Sequence, residues 1–124
     1  MTTHRVEIRH NFETAHRLFE ETAPLKCQSI HGHSWQAVLT IAASALGSDG
    51  MIIEFGALKR AWRGWIDEHL DHALVLHRDD PMAAAVRGAY AQSRILLLDD
   101  SPTTEIMAAM LFRVATDIVA ALPS

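Results

Sequence analysis

Alternation of apolar and polar side chains in two early segments most constrains the fold of this chain. In residues 5–12, Val6, Ile8, His10 and Phe12 alternate with Glu7, Arg9 and Asn11. Residues 35–42 alternate in the same way, beginning with Trp35. Since successive side chains of a strand point to opposite faces, both segments are predicted to be half-buried strands.

Later segments show helical spacing instead. Residues 55–69 carry apolar side chains at that spacing with charged ones between them, which predicts an amphipathic helix. Residues 99–103, with Glu105 close behind, read as the start of a second helix, which Pro123 ends. Its predicted buried stripe is Met107, Met110, Leu111, Val114, Ile118 and Leu122.

The remaining segments give weaker signals. Residues 20–29 and 71–81 are predicted to be irregular, and residues 47–50 to form a turn. A short helix over residues 82–90 and a short strand over 95–98 are compatible with the pattern. The main order is strand, strand, helix, helix, so we expect one α+β domain over residues 1–124, with an antiparallel β-hairpin followed by two helices.

Composition excludes several classes of protein. With 49% hydrophobic and 21% charged residues the chain is globular, and a net charge of −4 disfavours a generic nucleic-acid binder. The apolar residues 106–122 are interrupted by Arg113 and Asp117, so no membrane span is expected. The chain opens without an apolar signal region, and its lone Cys27 suits a reducing compartment. We therefore expect a cytoplasmic protein.

The eight histidines are the one compositional oddity. If their segment is extended, His31 and His33 point to the same side, and His16 could supply a third imidazole. Three imidazoles with one open position are typical of a catalytic zinc site. A His-x-His pair alone is more often a surface or packing feature. The conjunction with His16 and with Cys27, close before the pair, favours a metal site.

Three other groups each have a purely structural interpretation that must be weighed. Cys27 could be a buried small hydrophobe, a reactive thiolate beside Lys26 and a bound dication, or a fourth zinc ligand. The Asp71–His72 pair could interact with the end of a helix or relay protons. Glu105 could simply be an acid in the first turn of a helix.

Taken together, five segments resemble the 6-pyruvoyl-tetrahydropterin synthase and 6-carboxy-tetrahydropterin synthase family. The segments appear in the family's order and span most of the chain: residues 12–18, 27–33, 50–55, 70–72 and 102–105. The resemblance implies the T-fold (tunnelling fold), a pterin triphosphate substrate, 7,8-dihydroneopterin triphosphate, and a Zn²⁺ cofactor. It also implies a role for each matching residue: His16, His31 and His33 as zinc ligands, Cys27 as general base, Asp71 and His72 as proton relay, and Thr104 and Glu105 as contacts to the pterin ring.

The short gap between Cys27 and His31 resembles the bacterial carboxy-forming branch. That branch makes 6-carboxy-5,6,7,8-tetrahydropterin for the queuosine (7-deazaguanine) route and releases triphosphate and acetaldehyde. The alternatives are a 6-pyruvoyl-tetrahydropterin synthase and a non-catalytic, metal-binding oligomeric paralogue. A zinc hydrolase using the same histidines is a further alternative, which nothing outside the three histidines supports.

The resemblance also bears on assembly and on the end of the chain. Family members form trimers that pair into hexamers, with active sites at subunit interfaces, so a homo-oligomer is expected. They continue after the second helix with a β-hairpin that carries another pterin-anchoring glutamate, whereas this sequence ends at Ser124. The resemblance therefore predicts a small sheet with an unpaired inner edge and, for a chain of this length, metal binding with weakened or absent catalysis.

Overall fold

A long antiparallel hairpin forms one side of the structure, a computed structural model that describes residues 2–123. Strand β1 (His4–His16) pairs along its whole length with β2 (His31–Ala43). Both strands are longer than predicted, and the alternation is confirmed, since Ile8 and Phe12 are buried while Arg9 is exposed. The intervening segment is not wholly irregular, because it contains a four-residue helix, α1 (Leu25–Gln28).

Two further strands complete a four-stranded mixed sheet of order β2-β1-β3-β4. Strand β3 (Ala73–His77) lies parallel to β1, and β4 (Ile95–Leu98) lies parallel to β3. The prediction that residues 71–81 are irregular was therefore wrong. The apolar run of β3 has no alternation because a central strand is buried on both faces, as Val75 and Leu76 are. The expected unpaired inner edge is also wrong, because β3 pairs with part of it.

Three more helices connect and cover the strands. Helix α2 (Phe55–His69) has the predicted bounds and begins where the Glu54 carboxylate accepts hydrogen bonds from two backbone N–H groups. Helix α3 (Met82–Ala89) confirms the weaker prediction of a short helix. Helix α4 (Thr104–Ala121) begins after Thr103, whose hydroxyl caps the Ile106 N–H at 3.1 Å.

The core lies between one face of the sheet and helices α2 and α4. Side chains of α2 at helical spacing, among them Trp62 and Ile66, are almost completely buried. The predicted stripe of α4 is confirmed in part, since Met107 and Met110 are buried and the other four members are half-buried. Ala115 is buried as well, and it was missed because an alanine adds little to an apolar pattern.

The turn before α2 and the segment after α4 complete the described part of the chain. The turn at residues 47–50 is confirmed, and Gly50 adopts a φ of 79°, which favours glycine. Within residues 2–123, no strand follows α4. No helix in this range is long and apolar enough to cross a membrane.

Candidate metal centre and active site

The register of the β1–β2 hairpin brings three histidines to one face of the sheet. His16 lies directly opposite His31, and His33 lies opposite Thr14. Directly opposed residues share a face, and so do residues two apart along a strand. All three imidazoles therefore project from the face that α2 and α4 cover, at the end of the hairpin.

The three rings are close enough to share one ion. One nitrogen from each of His16, His31 and His33 lies within 4.8 Å of the other two. The ring centroids are 4.6 Å apart for His16 and His31, 4.8 Å for His31 and His33, and 5.2 Å for His16 and His33. Imidazole nitrogens are the ligands that zinc prefers alongside thiolates, so this donor set fits a zinc ion.

Backbone carbonyls orient two of the three rings. Nδ1 of His16 lies 2.7 Å from the Pro102 carbonyl oxygen, and Nδ1 of His31 lies 2.7 Å from that of Ser29. Because a carbonyl oxygen only accepts, each Nδ1 must carry the proton and donate. Each Nε2 is then left with a free lone pair, which is the form a metal-binding histidine takes.

The pKa of His16 is lowered, which favours its neutral form. Burial is the largest cause, and repulsion from His31 and His33 adds to it, whereas the hydrogen bond to the Pro102 carbonyl opposes it. A metal binds the neutral imidazole, so burial prepares this residue for ligation at neutral pH.

The Trp35 ring packs against the histidine cluster. Its ring centroid lies 5.3 Å from that of His16 and 5.1 Å from that of His33, and its Nε1–H donates to the Thr14 carbonyl at 3.0 Å. Trp35 follows His33 by two residues in β2, so its side chain projects from the same face as the histidines. Trp35 also lines a cavity of about 360 Å³ between β2 and α4, and Thr104 contributes to the same lining.

Comparison with known proteins identifies the family. The family described as 6-pyruvoyl tetrahydropterin synthase matches residues 5–123. The chain belongs to this family. Relatives named 6-carboxy-5,6,7,8-tetrahydropterin synthase include a Rickettsia bellii protein, 34% identical over 86% of this chain and 72% of its own length. One from Rickettsia conorii is 37% identical over the same shares.

Solved structures show the same fold. A protein of uncharacterized function from Wolinella succinogenes superposes with a TM-score of 0.76 at 18% identity, covering 92% of this chain and 83% of its own. The 6-pyruvoyltetrahydropterin synthase of Plasmodium vivax superposes with a TM-score of 0.72 at 15% identity, covering 96% and 81%. The chain thus has the α+β architecture of pterin-synthase T-fold structures.

In this member of the pterin synthase family, Cys27 lies on α1, half-buried, and stands apart from the histidine cluster. Among residues 2–123, the imidazoles of His31 and His33 lie close enough to share an ion with His16, and the Cys27 sulfur does not. The structure therefore does not support Cys27 as a fourth zinc ligand. Its proposed role as general base stays a prediction.

The Asp71–His72 pair forms the turn between α2 and β3 and contacts the backbone of Glu13. One Asp71 carboxylate oxygen accepts the Glu13 N–H at 2.9 Å, and the other lies 3.0 Å from Nδ1 of His72. The pKa of Asp71 is lowered, chiefly by the hydrogen bond from Glu13 and then by His72. His72 has a φ of 60° and donates its own N–H to the Glu13 carbonyl at 2.6 Å.

The Asp71–His72 pair lies outside the histidine cluster. His72 lines a cavity of about 760 Å³ together with Ala15, Ser34 and Arg94, and His33 of the cluster contributes to the same lining. Ala15 and Ser34 alternate with the cluster histidines along β1 and β2, so the lining combines residues of both faces. Within residues 2–123, His72 is not among the groups close enough to share an ion with the three histidines.

Thr104 and Glu105 occupy the first turn of α4 and are exposed. Because Pro102, two residues earlier, accepts the hydrogen bond from His16, this turn begins beside the metal centre. Their predicted contacts with a pterin ring stay a prediction. The carbonyl partners at Pro102 and Ser29 were not predicted, since a backbone carbonyl carries no residue-specific signal.

Proposed function

We propose that this chain is a 6-carboxy-5,6,7,8-tetrahydropterin synthase, a lyase that converts 7,8-dihydroneopterin triphosphate and releases triphosphate and acetaldehyde. The observation that carries the proposal is the cluster of three imidazoles whose free nitrogens converge on one point. It occurs in a chain 34% and 37% identical to two relatives that bear this name. The product is the carboxypterin of the queuosine route.

His16, His31 and His33 would hold the zinc ion, and two of these rings are already oriented by carbonyl oxygens. When bound, zinc supplies Lewis acidity to the oxygens of the substrate side chain and makes the neighbouring C–H protons more acidic.

Proton transfer is the task of Cys27, with Asp71 and His72. The Cys27 thiolate takes protons from side-chain carbons and returns them. His72 passes protons onward, and the carboxylate of Asp71, kept charged by its lowered pKa, holds the imidazole through Nδ1. At the start of α4, Thr104 binds the pterin and the carboxylate of Glu105 accepts from its ring N–H and amino groups.

The proposed active site lies between subunits of a homo-oligomer, a trimer or hexamer. The support is the resemblance, since the family builds its active sites at subunit interfaces, together with the position of His72 outside the group of side chains that can share an ion in one chain. The proposal is that a second copy supplies the relay. The proposed location is the cytoplasm, where the free Cys27 thiol stays reduced.

Incubation of the purified chain with 7,8-dihydroneopterin triphosphate, followed by mass analysis, tests the activity. The proposal expects 6-carboxy-5,6,7,8-tetrahydropterin and acetaldehyde, both lost with a chelator and restored by zinc. Formation of 6-pyruvoyl-tetrahydropterin instead would assign the chain to that other activity. A zinc-loaded chain that leaves the substrate unchanged would be a non-catalytic, metal-binding paralogue.

A further inference from the structure

Arg17, the residue after the metal-site His16, forms a two-pronged ion pair with Asp80. Its Nε donates to one carboxylate oxygen at 2.7 Å and its Nη2 donates to the other at 2.9 Å. The Asp80 side chain is completely buried, and that of Arg17 is 17% exposed. Two parallel hydrogen bonds fix the plane of the guanidinium as well as its position.

The remaining guanidinium nitrogen of Arg17 reaches the segment that carries Cys27. Its Nη1 donates to the Gln28 carbonyl at 3.2 Å. The next residue, Leu18, donates its backbone N–H to the Cys27 carbonyl at 2.8 Å. Two successive carbonyls of α1 are therefore tied to two successive residues that follow β1.

Helix α1 has little else to hold it in place. It is four residues long, none of its side chains is buried, and no side chain caps its start. A helix this short is not stable by itself, and here no apolar face docks it on the core. Its position relative to the metal centre therefore depends on the hydrogen bonds from Arg17 and Leu18.

Asp80 is itself held by backbone on the far side. One of its carboxylate oxygens also accepts the Met82 N–H at 2.9 Å, at the start of α3. The carboxylate thus joins α3 to the end of β1, and Arg17 extends this connection to α1. A shift of α1 relative to the end of β1 and α3 would therefore have to move the guanidinium.

We infer that Arg17 is a positioning residue: anchored by Asp80, it sets where α1 holds the Cys27 thiol. The inference rests on the proposed function for its effect on catalysis. The placement of the thiol can also be measured without an activity assay. Because Cys27 is the only cysteine of the chain, alkylation by iodoacetamide modifies one site that intact-mass analysis can follow.

The experiment compares Arg17→Lys and Asp80→Asn with two controls, using the full chain in the same metal state. Arg78→Lys alters an ion pair of similar length, 2.7 Å to Asp99, in which both side chains are mostly exposed. Ile66→Val destabilises the core far from α1. Lysine keeps a positive charge beside the buried Asp80 carboxylate, so we expect this variant to fold even if Asp80→Asn does not. Its single ammonium group cannot bind Asp80 and Gln28 at once.

For Arg17→Lys we expect a several-fold rise in the rate of Cys27 alkylation, because α1 is released. Asp80→Asn gives the same change, the double variant adds nothing to it, and both controls keep the wild-type rate. Alkylation unchanged in Arg17→Lys, with only the unfolding midpoint lowered, would show that the pair merely stabilises the fold.

The activity measurement separates this inference from the proposed function. If the wild-type chain forms product, Arg17→Lys lowers kcat several-fold and leaves KM near the wild-type value. If the wild-type chain forms none while Arg17→Lys still changes Cys27 alkylation, the proposed function is wrong and the positioning role stands.

Discussion

His16 lies directly opposite His31 in the antiparallel register of β1 and β2, and this pairing creates the candidate metal centre. A slip of one residue would turn every side chain of one strand to the other face and separate the two imidazoles. The register is held by Trp35, whose indole N–H donates to the Thr14 carbonyl across the hairpin, and by the ring stack of Trp35 with Phe12. Formation of the site and formation of the hairpin are thus one event.

Thr14→Val is expected to lower the free energy of unfolding by about 1 kcal/mol, the usual net value of a hydrogen bond. The Thr14 hydroxyl is buried and donates to the Leu70 carbonyl at 2.6 Å, which joins the hairpin to the end of α2. Urea denaturation measures the difference. Thr40→Val, at an exposed position of β2, is the control and should change stability little; equal effects at both positions would contradict the assignment.

Asp71→Asn is expected to reduce stability at pH 7 and to have progressively less effect in acid. The folded-state pKa of Asp71 lies below the ordinary value of 3.8, so the ionised carboxylate stabilises the fold above that value. This contribution is lost as the pH falls from 3.8 through the folded-state pKa. We expect about 0.5–1 kcal/mol at neutral pH, since the group is partly exposed. Urea unfolding at pH 7 and at about pH 3 tests this; a difference that grew in acid would contradict it.

Cys27→Ala is expected to abolish turnover while the bound zinc is retained. The cysteine sulfur stands outside the cluster that is proposed to hold the metal, so removing it leaves all three imidazoles in place. Product formation and metal content are measured on the same sample. Loss of zinc from this variant would make Cys27 a ligand, and turnover near the wild-type rate would remove it from the mechanism.

Mixing two inactive variants tests whether the active site is shared between copies. Cys27→Ala and His72→Ala subunits, unfolded together and refolded as an equal mixture, should recover about one quarter of wild-type activity if each site takes Cys27 from one copy and His72 from another. Each variant refolded alone is the control. Recovery no greater than the sum of these controls would place both residues in one subunit's site or remove one of them from catalysis.

Periodicity predicted the parts of the fold that face solvent on one side. Strands β1 and β2 and helix α2 each show a buried and an exposed face, and their patterns reveal it. Strand β3 was not predicted, because the burial of both Val75 and Leu76 leaves no alternation of apolar and polar residues. The parallel pairing of β3 with β1 is set by tertiary packing, which a local pattern does not encode.

The candidate site was predictable to a similar extent. The sequence predicted that His31 and His33 share a side if their segment is extended, and it offered His16 as a third imidazole, a role that the resemblance also implied. The backbone conformation of His72 was not predictable, because a non-glycine residue seldom adopts a positive φ. The ion pair of Arg17 with Asp80 was also missed, since 63 positions separate the two residues and neither lies in a pattern that marks burial.

Metal stoichiometry tests the central claim most directly, by elemental analysis of the purified chain after equilibration with zinc and removal of the free ion. We expect one zinc per chain for the wild type and for His69→Ala, which removes an exposed histidine of α2. His31→Ala should retain essentially none, because two imidazoles without a third hold the ion weakly. Stoichiometric zinc in His31→Ala, or none in the wild type, would contradict the account.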